Sequence, residues 1–276
     1  MGDELRDVIS GHYGGGYEAQ RLLQGTSRLE KARTLELLKR FLPAAPATVL
    51  DVGGGPGAYA CELLEAGYTV QLSDITPLHV DQAMAAFAKL RSGARGSARV
   101  GDERKLTEAG SSADAVLLLG PLYHLTERAD RVQALKEASR VLKPGGVLVA
   151  AVITRFASVL DGLRGKLLDD PAFVKIVEQD LQDGQHRNPT GNPVYFTSAF
   201  LHRVEDLGDE IAAAGLALTG IFGVEGPAWL IPDFDEHWND PGRRERMLAA
   251  VRAIEQEPSL LGVSAHLLGV ARKNAQ

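Results

Sequence analysis

The chain has 276 residues, 45% of them apolar, and a net charge of −6 with acid and base spread along it. That length fits one large α/β domain, or one domain with a modest appendage. No long basic run advertises nucleic acid, no apolar stretch reaches the roughly 18 residues of a membrane helix, Met1 to Ser10 lacks a signal-peptide core, and the sole cysteine, Cys61, excludes an intramolecular disulfide, so a soluble cytoplasmic protein is expected.

In chain order, "HYGGGYEAQRLL" (His12–Leu23) joins aromatics, a glycine hinge and helix-like spacing, and Arg28–Pro43 has the pattern of an amphipathic helix. Ala47–Val52 is a short apolar run ending in glycines, which predicts a buried strand. A helix over Ala58–Glu65 and a strand over Thr69–Ser73 follow. Thr76-Pro77 marks a cap with proline at the first helical position, and Val80, Ala83, Met84, Phe87 and Leu90 carry that helix at helical spacing. Ser97–Val100 is a weak third strand and Ala113–Leu119 a strong fourth. Thr126 is placed to cap a helix marked by Val132, Leu135, Ala138 and Leu142; "LKPGG" (Leu142–Gly146) stops it, and Val147–Ile153 is the fifth strand. Arg155 to His202 reads as mostly helical, broken by a loop at Gly184–Pro193. Val204–Ala214 is a helix, Ala217–Val224 a sixth strand, Glu225–Gly262 an insert with a helix at Arg243–Gln256, and His266–Ala271 a final strand.

Strand–helix alternation of this kind implies a doubly wound, mostly parallel sheet with helices on both faces. The expected organisation is a lid segment at 1–27, a Rossmann-like core at 28–153, a helical cap insertion at 154–202, and a completion of the sheet at 203–276 interrupted by a second insertion at about 225–262. The two inserts are placed to fold together over the sheet's carboxyl edge.

Ligands of open parallel sheets sit outside the strands' carboxyl ends. Strand one ends in Asp51-Val52-Gly53-Gly54-Gly55-Pro56-Gly57. Glycines there let backbone N–H groups approach a ligand. The spacing is neither the longer dinucleotide fingerprint nor a phosphate loop ending in Gly-Lys-Ser/Thr. Asp74 ends strand two, where a carboxylate can accept both hydroxyls of a ribose or simply cap a turn. Asp102 follows strand three, where a carboxylate can accept an adenine amine or again serve a turn.

"VLDVGGGPG", "LSD", "VGD", "GPLYHL" and "VLKPGG" together resemble the ordered motifs of the class I S-adenosylmethionine-dependent methyltransferases, of the small-molecule type. The resemblance spans about Arg28 to Ile153, with the two late strands completing a seven-stranded sheet whose last strand is antiparallel. It implies S-adenosylmethionine as cofactor and S-adenosylhomocysteine as product. It also implies that Asp51 and the loop Gly53, Gly54, Gly55 and Gly57 hold the methionyl moiety, with the backbone at Gly120 on its ammonium. Asp74 takes the ribose, Ile75 packs beside the adenine, and Asp102 and the Glu103 backbone meet the adenine. Tyr13, Tyr17 and Arg21 are lid candidates, and Arg33 is placed to reach the methionyl carboxylate; the alternative for both arginines is a solvated surface ion pair. Gly120-Pro121-Leu122-Tyr123 stands where base-amine and glutamine methylases carry Asn/Asp-Pro-Pro-Tyr/Phe, which argues against those acceptors.

Tyr123 and His124, just beyond strand four, are the catalytic candidates, His124 as general base or both as orienters of the acceptor; a structural histidine at the following helix start is the alternative. The inserts hold Phe156, Phe173, Tyr195, Phe196, Phe200, Trp229, Phe234 and Trp238, which line an acceptor pocket or form the inserts' own cores. His186, His202 and His237 lack ligand spacing, so no metal is expected. The expected activity is methyl transfer to the N or O of a small organic acceptor, with no nucleic-acid or membrane partner and with pairing of insert helices into a homodimer left open. The rival readings are an NAD(P)-dependent oxidoreductase and a non-catalytic S-adenosylmethionine-binding protein.

Overall fold

Near-continuous apolar runs along the central strands dictate a sheet covered on both faces. In the computed structural model, which describes residues 18–90 and 95–275, Val49, Leu117 and Val149 face one layer of helices while Leu50, Val116 and Leu148 face the other. The elements run α1 (Glu18–Arg21), α2 (Ser27–Phe41), β1 (Thr48–Val52), α3 (Ala58–Glu65), β2 (Thr69–Asp74), α4 (Pro77–Phe87), β3 (Arg95–Val100), β4 (Ala113–Leu118), α5 (Pro121–His124), α6 (Arg128–Val141) and β5 (Leu142–Ile153). They continue with α7 (Ala157–Gly165), α8 (Pro171–Asp183), β6 (Gln185–His186), β7 (Ala199–Phe200), α9 (Val204–Ala213), β8 (Ala217–Gly223), α10 (Phe234–Asn239), α11 (Pro241–Ile254) and β9 (His266–Arg272).

The seven-stranded sheet has the order β3-β2-β1-β4-β5-β9-β8. β1 pairs in parallel with β2 and β4, while β9 lies antiparallel between β5 and β8. The strand order therefore reverses between β1 and β4, and a crevice opens there at the carboxyl edge. Leu37, Leu38, Leu63, Leu64 and Phe87 cover one face; Leu135, Ala138, Leu207 and Ile211 cover the other.

Three local details depart from the sequence reading. β5 is already paired at Leu142, because the register between β4 and β5 shifts between Ala113 and Ala115 and admits the Lys-Pro-Gly-Gly stretch. Thr126 does not cap α6: the cap position is Glu127, without a side-chain bond, and the Thr126 carbonyl instead accepts from Arg131 and Gln185. Pro121–His124, for which the sequence reading assigned no element, forms a single helical turn.

The segment after β5 rises over the carboxyl edge as α7, α8 and the short β6–β7 pair, and is tied back where His202 donates its backbone N–H to Ile153 and Arg155 donates to His202. The second insert packs against α2, where Phe234, Met247, Leu248 and Val251 enclose Leu29. A buried ion pair clamps α6 to α9: Arg131 donates through Nε and Nη2 to Glu210 at 2.9 and 2.8 Å, through Nη1 to the carbonyls of Leu125 and Thr126, and lies 3.7 Å from the Phe200 ring centre. Removing one partner strands the other charge out of water, so Glu210→Ala is expected to cost about 3–5 kcal/mol in urea unfolding. The double change Arg131→Met with Glu210→Leu should recover most of that loss.

Candidate functional site

The loop after β1 and the turn after β4 meet across the strand-order reversal. Gly53 adopts φ +68°, and a Cβ there would sit 2.4 Å from the Pro121 ring; a Cβ on Gly54 would sit 2.6 Å from Asp51 Oδ2. Side chains are therefore excluded by contact as well as by backbone angle. Beneath this loop Asp51 is 1% exposed, and neither carboxylate oxygen has a hydrogen-bond partner among the described residues. Burial, reinforced by the neighbouring Asp74, pushes its carboxyl up to about 7.

Asp74 binds the loop to the next helix. Its Oδ2 accepts from the Gly55 N–H at 2.9 Å, its Oδ1 accepts from the Thr76 N–H at 2.8 Å, and His79 Nδ1 lies 3.1 Å from Oδ1. The turn-capping and ligand-facing alternatives thus coincide in one residue. A carboxylate offers about four acceptor positions, so Asp74 retains room for a further donor.

These groups line a cavity of about 110 Å³ together with Gly53, Gly54, Gly55, Ile75, Gly120, Tyr123 and His124. Glu103 joins them; burial first, then nearby Asp102, raises its carboxyl to about 7. Asp102 itself does not line the cavity. Arg104 folds back and donates to it through its backbone N–H, Nε and Nη2, turning the carboxylate aside. Gly57 also stands back, as the left-handed residue that opens α3. Arg33 points away entirely: it is 0% exposed and its guanidinium is held by Glu36 and Glu255. Tyr17, like Tyr13, lies outside the described residues.

Arg21 lines the cavity and is also held bidentately by Glu30, at 2.6 and 2.9 Å. Glu30, Tyr59 and His79 line it as well, and none of the three was marked by a motif. Burial opposes ionisation of Glu30, but Arg21 and His266 outweigh it and hold the carboxyl below its ordinary value. The cavity's carboxyls, Glu30, Asp51, Asp74 and Glu103, stand against Arg21 as the lining guanidinium, so the described lining favours a cationic ligand.

A second cavity of about 670 Å³ adjoins the first and shares Arg21 and Tyr123 with it. Ala157, Ser158 and Asp161 of α7, with Phe196, Trp229 and His266, form its walls. Of the insert aromatics, Phe196 and Trp229 therefore face this chamber. Phe173 and Tyr195 pack with Ile176 and Val177, Phe234 stacks with Trp238, and Phe200 serves Arg131. The ring centres of Tyr123 and His124 lie 4.6 Å apart, and those of His124 and Phe196 6.0 Å apart. His186 is a structural residue held by Asp180 and the Tyr195 carbonyl. Donor atoms of Glu30, Glu225 and His266 come within 4.8 Å of one another, but Arg21, Ser264 and His266 itself already engage the carboxylates.

A family of methyltransferase domains matches residues 49–146, which carry β1 to the start of β5 and hence both loops of the crevice. Over these residues the chain is similar to the S-adenosylmethionine-dependent methyltransferases, as its motifs imply. An uncharacterized methyltransferase of Mycobacterium tuberculosis is 34% identical over 113 residues, 41% of this chain and 42% of that protein. An O-methyltransferase of Aspergillus sclerotiorum is 29% identical over 150 residues, 53% of this chain and 55% of that protein. The chain thus spans about half the length of the curated relatives it matches. A solved S-adenosylmethionine-dependent methyltransferase of Methanosarcina mazei has the same fold, with a TM-score of 0.59 and 19% identity over 87% of this chain and 98% of that one. Among the described residues no helix is long and apolar enough to cross a membrane.

The family's cofactor fits what the cavity lacks. S-adenosylmethionine brings a sulfonium and an ammonium to a site where a buried carboxylate has no partner. Asp51 makes this measurable without catalysis. Its folded value lies above the unfolded one, so its contribution to stability is full below about 4 and is lost as pH rises through about 7. Asp51→Asn should therefore raise the melting temperature of the ligand-free protein by on the order of a few degrees at pH 8 and change it little at pH 4, while weakening cofactor affinity.

Proposed function

We propose that this protein transfers a methyl group from S-adenosylmethionine to a small organic acceptor enclosed beneath the cap. The observation that carries this reading is the meeting of a carboxylate-lined cavity with a larger, aromatic-walled chamber at Tyr123 and Arg21. The bound cofactor supplies an activated methyl group on a cationic sulfur. The protein's task is then to hold each reactant in place and exclude water.

In this reading Asp51 and the backbone of Gly53 and Gly55 hold the methionyl end, with the Gly120 backbone at its ammonium. Asp74 receives a ribose hydroxyl at its remaining acceptor position, Ile75 packs on the adenine, and Glu103, which lines the cavity, stands at the adenine edge beside Asp102, whose carboxylate accepts from Arg104. Tyr123 presents its ring to both cavities and orients the acceptor, with His124 stacked behind it. The acceptor's attacking atom is N or O, and the chamber volume lies within the ordinary range for small organic ligands. A concave chamber of this size suits a compact acceptor better than a flat macromolecular substrate.

Two substitutions separate the cavities. Trp229→Ala should raise the acceptor KM about tenfold or more through lost burial of an aromatic wall, with the cofactor Kd unchanged. Asp74→Ala should do the reverse, weakening cofactor binding at least tenfold in calorimetry. Transfer of radiolabelled methyl to a panel of small phenols and amines reads the first effect. A cofactor affinity that is the same in Asp74→Ala as in the parent protein would remove the assignment of the cavity.

A further inference from the structure

Two oppositely charged groups lie on different sides of the boundary between the cavities. Glu30 lines the cofactor cavity, whereas His266, at the start of β9, lines the acceptor chamber. Behind His266 sits Glu225, 2% exposed and locked in place. Its Oε2 accepts from Ser264 Oγ at 2.8 Å and from the His266 backbone N–H at 2.9 Å, and its Oε1 lies 2.6 Å from His266 Nδ1. Ser264 is in turn fixed by the backbone N–H groups of Glu225 and Gly226. A histidine held through Nδ1 by a carboxylate has its tautomer and ring orientation set, and the other nitrogen is the one left for a ligand. Burial disfavours the imidazolium, but Glu225 and Glu30 outweigh it and raise His266 to about 9. The other charged or titratable groups among the described residues lining this chamber are Arg21 of α1, paired with Glu30, Tyr123 of α5, His186 of β6, held by Asp180, and Asp161 of α7, whose carboxyl burial raises.

The chamber wall adds a shape. Phe196 holds φ 65° and ψ −176°, a backbone region that is costly for any residue but glycine and that tends to persist at functional sites. Its carbonyl is pinned by Asn188 Nδ2 at 2.8 Å. Trp229 is fixed by its indole N–H donating to the Val263 carbonyl at 2.9 Å. Both rings border the same chamber as His266.

We propose that the acceptor is a planar molecule with an acidic hydroxyl, bound as its anion against the His266 imidazolium, with Glu225 as the positioning residue. This rests on the methyltransferase reading above and narrows its acceptor to oxygen. At neutral pH His266 already carries its proton, so the hydroxyl's proton passes to water as the anion binds. The oxygen keeps the O–H electron pair and uses it to form the O–methyl bond. The methyl–sulfur bond breaks with its electrons remaining on sulfur, so anion and sulfonium become neutral ether and thioether while His266 keeps its proton.

4-Nitrophenol, whose anion is yellow, tests this by absorbance titration with S-adenosylhomocysteine present. In the parent protein the half-point of the colour change of the bound phenol should fall by about one pH unit or more, the usual effect of an adjacent opposite charge. In His266→Gln it should return to the value in free solution, and Glu225→Gln should show a smaller fall than the parent. Calorimetry with S-adenosylhomocysteine should give parental affinity in both variants. An unshifted half-point in the parent, a shift that survives in His266→Gln, or no nitrophenol binding at millimolar concentration overturns the proposal. Loss of S-adenosylhomocysteine binding by the parent would instead overturn the broader reading.

Discussion

A buried carboxylate, that of Asp51, with no hydrogen-bond partner among the described residues governs this site. Folding places Asp51 at the end of the central strand, under a glycine loop that brings no donor to its oxygens. Such a group costs stability unless a ligand completes it. The surrounding design is consistent with that demand. Asp74 spends three of its contacts on shaping the same loop and the following helix, which keeps the crevice open instead of allowing it to collapse onto Asp51. The contacts of Gly53 with Pro121 then bring the turn after β4 to the other side.

The second organising feature is the separation of charge across a thin partition. Carboxyls line the cavity that suits a cationic nucleoside, while His266 faces the larger chamber and is backed by its own carboxylate. Arg21 and Tyr123 belong to both spaces. An arrangement of this kind keeps opposite charges on the two reactants attracted toward one contact point without adding a net charge to the protein there. The inserts contribute unequally: the first supplies most of the chamber wall, the second mainly packs on α2 and reaches the chamber through Trp229.

Most of the sheet was readable because its signals are local. Short apolar runs, a glycine-rich turn and strand-end aspartates each lie within a few residues, and they located β1, β2, β4 and the loop. The side-chain positions were less legible where neighbours compete for one position. Asp102 and Glu103 are adjacent, and only the back-folding of Arg104 decides which of them faces the cavity. Arg33 has helical spacing that allows it to face the cofactor, but the pull of Glu255, distant in sequence, turns it toward α11. The partition residues were harder still. Arg21, Glu30, Glu225 and His266 come from opposite ends of the chain, and no spacing rule links them before β9 is inserted beside β5.

The central claim is that Asp51 is ionised by, and pairs electrostatically with, the cofactor's positive charge. Calorimetry at pH 6.5 in buffers of different ionisation enthalpy measures it directly, because the slope of observed enthalpy against buffer ionisation enthalpy gives the protons exchanged on binding. Roughly half a proton or more should be released per S-adenosylmethionine bound by the parent protein, and markedly less by Asp51→Asn. Binding without proton release, or with equal release in the two proteins, would contradict the account.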